Sequence, residues 1–206
     1  MKTLLRKIDP YRQSCLYFKW TFNSVVLVAV LIGFLWRHID GKWADIVFNN
    51  SFIYLPNYLV HEFSHRIWCM FGWEWWCYAS GNGMETLVPL AACFGVLHIR
   101  GGRYLLPPLL YWLSTTLYGA GVYAADARAM QLPLTSSDMV STFAPGEVKG
   151  DWYYILEPLG LLEQDVLLGR CLMFLAVVSF VFALWSLWYY WTHVDEYMQW
   201  EKDYLC

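Results

Sequence analysis

The stretch from about Asp45 to Phe71 is apolar enough for a helix in a core or a membrane, yet it carries His61-Glu62-Phe63-Ser64-His65. Ionisable groups in such a setting are costly unless they pair or line a cavity, so this helix needs neighbours. No other feature restricts the fold as strongly. On an α-helix, positions four apart share a face, so His61 and His65 project side by side. Two imidazoles one turn apart fit adjacent corners of a tetrahedral zinc site, and Glu62 stands where a carboxylate can take a proton from a metal-bound water. Asn49, Asn50, Ser51 and Asn57 precede the motif and also need partners away from lipid, which places the helix inside a bundle. Pro56 is expected to kink it shortly before His61.

The remaining chain repeats the apolar theme. With 58% hydrophobic and 15% charged residues, it reads as a single integral membrane domain over residues 1–206. Expected spans are about Thr21 to Trp36, the motif helix, a short run from Met84 to Ile99, Tyr104 to Ala125, and Cys171 to Trp191. The fold expected is therefore all-α, a polytopic bundle of about five membrane helices. The WEWWCY stretch at 73–78 reads as an interfacial aromatic belt, and Gly81-Asn82-Gly83 as a turn. Pro107 and Pro108 suit a first helical turn, and the small residues Gly119, Ala120, Gly121, Ala124 and Ala125 allow close helix approach. Residues 127–150 read as an extramembrane loop, and 152–168 as an interfacial segment or one packed on the bundle. Six cysteines, at 15, 69, 77, 93, 171 and 206, form no CxxC pair. No disulfide framework or cysteine metal site is legible in them.

Lys2, Arg6, Lys7, Arg12 and Lys19 place the N-terminus in the cytoplasm, with no cleavage site before the first apolar run. Five crossings then bring the motif, Asp126 and Asp151 to one membrane face, and His38, His98 and His193 to the other. A catalytic zinc site takes three protein ligands and a water, so a carboxylate is needed beside the histidines. Asp126 and Asp151 are the two leading candidates, and Glu85 is a weaker third. Each also suits a bland role as a cap or a charge near a helix start.

HEFSH in a membrane helix, followed much later by an aspartate, resembles the intramembrane zinc metalloproteases of the site-2 protease type. The stretches YAADARAM-LPL and GDWYYIL are similar to a group of uncharacterised bacterial membrane proteins carrying HExxH, where a histidine often precedes the Asp-Trp pair. Gly150 holds that position here. The resemblance implies that His61, His65 and either Asp126 or Asp151 bind Zn2+, with Glu62 as general base. It further implies a multi-pass protein of the bacterial inner membrane. The expected activity is zinc-dependent peptide-bond hydrolysis in or near the membrane, with lipids and a membrane-protein or peptide substrate as partners. A lipid amide or ester hydrolase, a proton or ion relay, and a scaffold retaining the metal site are the competing expectations. A net charge of −3 with no basic block gives no case for nucleic acid.

Overall fold

The computed structural model describes residues 54–98, 103–132, 134–135, 142–143, 146 and 148–193. The expected first span, the basic N-terminus, His38 and Asn49 to Ser51 lie outside the described residues, as does the chain on which a kink at Pro56 would depend. Within them the chain is helical. Helix α1 spans Tyr54–Cys69, α2 Glu74–His98, α3 Leu106–Ala125, α4 Asp151–Leu156 and α5 Asp165–Thr192. Short 3-10 turns at Arg103–Leu105 and Leu162–Gln164 lead into α3 and α5. Within the expected 127–150 loop, Leu134–Thr135 pairs antiparallel with Thr142–Phe143, Leu134 opposite Phe143.

Helices α1 and α2 form a tight hairpin. The amides of Phe71 and Gly72 bond back to Trp68 and Cys69 carbonyls at 3.1 Å, and Gly72 adopts φ +71°. That left-handed conformation is free of strain for a glycine ending a helix. One expectation is corrected here. Gly81-Asn82-Gly83 makes no turn, because α2 runs unbroken through it from Glu74 to His98. The aromatic stretch at 73–78 thus leads into and forms the first turn of α2. Glycine weakens a helix interior by roughly 0.5–1 kcal/mol against alanine, and packing of α2 on α1 offsets that.

Pro107 and Pro108 fall in the first turn of α3, where a missing N–H goes unneeded. Its small-residue end meets α5 at backbone distance. A Cβ built on Gly121 would lie 2.7 Å from the Gly169 carbonyl oxygen, and one on Gly169 2.5 Å from that of Gly121. A fork from Arg128 clamps the start of α5, Nε and Nη2 donating to Asp165 at 3.0 and 2.8 Å. Asp165 is 1% exposed, so this is a buried carboxylate with its charge answered.

Helix α4 rests on α2, with Trp75 Nε1 donating to the Ile155 carbonyl at 3.0 Å and Tyr78 stacked on Tyr154 at 4.3 Å. Ile155 and Leu156 form a small apolar core with Ala127. The start of this segment thus packs on the helices before it. Buried Asn57 on α1 accepts a hydrogen bond from Trp112 Nε1 on α3, the kind of partner a polar residue in an apolar helix requires.

Leu162–Thr192 is 31 residues long with mean hydropathy 2.4 in its most apolar window, and is the one helix among the described residues long and apolar enough to cross a membrane. Only 22% of that window is buried within the chain. Phe174, Val177, Val181, Phe182, Trp185 and Trp188 are all exposed.

Candidate metal centre

The i,i+4 geometry of α1 sets the His61 and His65 rings edge to face, with centroids 4.6 Å apart. Their Nε2 atoms lie 2.9 Å from each other, and each lies 3.1 Å from Asp151 Oδ2. The site lies in the last two turns of α1, His65 being four residues, or about 6 Å, before Cys69 at 1.5 Å each. Asp151 reaches it as the first residue of α4, which the Trp75 and Tyr78 contacts hold against α2.

The far side of each ring is also engaged. His61 Nδ1 donates to Glu85 Oε2 at 3.2 Å, and His65 Nδ1 donates to the Cys77 carbonyl at 2.6 Å. Both acceptors come from α2, so the helix running through the expected turn is what supplies them. A carboxylate and a carbonyl can only accept, so a proton belongs on each Nδ1, and the neutral form of each ring then turns its Nε2 lone pair to the convergence point. Three electron-pair donors then converge on one point. Mutual repulsion disfavours that arrangement unless a proton on Nε2 or a metal cation is shared among them. Ligands about 2.0–2.1 Å from a tetrahedral ion stand about 3.3 Å apart, close to the separations seen. Histidine, histidine and carboxylate form a donor set that could hold a metal ion, and zinc is among the ions such a set suits.

Burial works to raise the Asp151 carboxyl, but hydrogen bonds and charge from His61 and His65 outweigh it and hold it at about 2. The group is therefore an ionised carboxylate, able to answer a protonated imidazole or a cation. Gly81 supplies the remaining requirement, which is space. A Cβ there would lie 2.8 Å from His61 Nε2 and closer still to His65 Nε2, so any other residue would fill the convergence point.

Asp126 is not part of this cluster. Its two carboxylate oxygens accept the amides of Gln131 and Leu132, each at 2.9 Å, and close the turn after α3. Of the two aspartates, the structure brings Asp151 to the histidines and leaves Asp126 as a turn cap. Glu85 holds a ring orientation instead of facing the convergence point. Glu62 is half-buried and makes no hydrogen bond among the described residues. His98 and His193 bond within their own helices, to the Phe94 and Tyr189 carbonyls. Gly81 and the Cys77 carbonyl escaped the sequence reading because neither has side-chain chemistry to notice.

A second correction concerns the cysteines. Cys69 and Cys77 form a disulfide across the α1–α2 hairpin, with Cα atoms 4.6 Å apart. An eight-residue spacing carries no signature of its own, and only the hairpin geometry reveals the pair.

No protein-family profile, curated protein or solved structure matches this chain. The functional reading therefore rests on the site itself.

Proposed function

We propose that this chain is an intramembrane zinc metallopeptidase, with His61, His65 and Asp151 holding the ion and Glu62 as general base. The observation that carries the reading is the convergence of two committed imidazoles and one carboxylate oxygen on a point kept clear by Gly81. A zinc ion there would polarise a substrate carbonyl and make its bound water acidic near neutral pH. Glu62 follows His61 on α1 and, uncommitted to other partners among the described residues, would serve as the base for that water's proton and would return it to the leaving amine. Glu85 and the Cys77 carbonyl keep the histidines in the ligating tautomer throughout.

The membrane part of the proposal extends one apolar helix to a multi-pass bundle of about five spans, inserted with the N-terminus in the cytoplasm of a bacterial cell. The exposed apolar face of α5 and the buried Asn57–Trp112 bond support a lipid setting. In that setting the substrate is a membrane-protein segment or a peptide at the membrane face, whose backbone must unwind locally to expose a carbonyl.

The test compares the wild type with Glu62→Gln, each purified in detergent and incubated with a mixed set of transmembrane peptides, products being read by mass spectrometry. The amide keeps size and hydrogen-bonding reach but cannot accept the proton. The expected result is cleavage by the wild type that falls by roughly 10²–10⁴ in the variant, with metal content unchanged. Equal cleavage by the two proteins would remove Glu62 from the mechanism, and no cleavage by either would remove the hydrolytic reading.

A further inference from the structure

The Cys69–Cys77 disulfide lies directly beside the metal centre and takes no part in it. A His65 ring nitrogen and the two sulfurs fall within 4.8 Å of one another. The placement follows from the hairpin. Cys69 is one turn beyond His65 on the same face of α1, and Cys77 opposes it from the first turns of α2, where its carbonyl already meets His65 Nδ1. One imidazole and two cysteine sulfurs are the donor set of known Cys2His zinc sites, and thiolates select thiophilic ions such as zinc, cadmium and copper(I).

We propose that reduction of the Cys69–Cys77 disulfide creates a second metal site, His65–Cys69–Cys77, for a thiophilic cation, and that this site competes with the first for His65. In the reduction, a dithiol gives two electrons and two protons to the S–S bond and itself becomes a disulfide, leaving two thiols on the chain. Ion binding then displaces both thiol protons. A neutral imidazole has a single lone pair, so His65 serves one ion at a time. With His65 drawn to the sulfurs, His61 and Asp151 are left with two ligands where three are needed. The oxidised chain therefore loads the hydrolytic centre, and the reduced chain diverts the ion from it. In the proposed topology this end of α1 lies towards the cytoplasm, where thiols are kept reduced, so the diverted state is reachable there. The new site stands on its own geometry, and only the competition rests on the proposed zinc centre.

The experiment uses the full chain in detergent, oxidised or reduced with a phosphine under anaerobic conditions, titrated with Cd2+ alone and followed by thiolate-to-cadmium charge-transfer absorption. A band saturating near one equivalent is expected in the reduced wild type and in reduced Asp151→Asn, which disables only the other centre. It should be absent from the oxidised chain. In reduced Cys69→Ser and Cys77→Ser the affinity should fall by about tenfold or more, while Cys93→Ser leaves it intact. No band in the reduced wild type, or a band undiminished in both serine variants, overturns the proposal. So does loss of the band in Asp151→Asn, which would make the thiols dependent on the first centre. Failure of the zinc reading shows separately, as an oxidised wild type that retains no zinc.

Discussion

Gly81 and Gly83 stand two residues apart on α2, yet a side chain would mean something different at each. At Gly81 a Cβ collides with both imidazoles, whereas at Gly83 it meets nothing within 4 Å. Gly81→Ala is therefore expected to abolish metal binding while the chain still folds. Gly83→Ala is expected to keep the metal and to stabilise α2 by about 0.5–1 kcal/mol, the usual gain for a helix interior. Zinc analysis and thermal unfolding of the two variants give the comparison, and equal metal content in both would remove Gly81 from the site. Glu85→Gln keeps size but weakens the charge behind His61, and should lower metal affinity by about 10–100-fold. An unchanged affinity by competition with a chromophoric chelator would make the Glu85 contact incidental. At this scale the sequence carried the histidines openly, because i,i+4 spacing is a property of a single helix. It left Asp126 and Asp151 undecided, since that choice depends on how Trp75 and Tyr78 seat α4 on α2.

At the scale of elements, the hairpin and the α3–α5 contact position everything else. The proline pair starting α3 and the small residues ending it were readable, because both follow from local sterics. The turn expected at Gly81-Asn82-Gly83 was not realised. Glycine permits a turn without requiring one, and packing on the histidine face of α1 favours a helix with no side chain at Gly81. The close approach of Gly121 and Gly169 gives a direct test. Gly169→Val must push α5 off α3 and should cost about 1–3 kcal/mol, as overpacking typically does. A control is Gly95→Val, where nothing lies within 4 Å and the change should stay within about 0.5 kcal/mol. Thermal midpoints of the two variants decide it, and equal values would mean that the α3–α5 contact yields freely.

For the whole molecule, the centre joins residues separated by up to 90 positions, and one ion per chain is the quantity that reports on it. The membrane arrangement proposed around it predicts that single cysteines placed near positions 101 and 140 are labelled from opposite sides of the bilayer. Labelling of both from one side would contradict five crossings without touching the metal centre. The apolar character of the whole chain was plain from composition, whereas the meeting of α1, α2 and α4 at one point is a tertiary fact that no local pattern encodes. The most direct measurement is elemental analysis of the full chain, purified oxidised in detergent, beside its Asp151→Ala and Asp126→Ala variants. About one zinc per chain is expected in the wild type and in Asp126→Ala, and a small fraction of that in Asp151→Ala, where two imidazoles leave the ion short of a ligand. Full zinc in Asp151→Ala, or none in the wild type, would contradict the account.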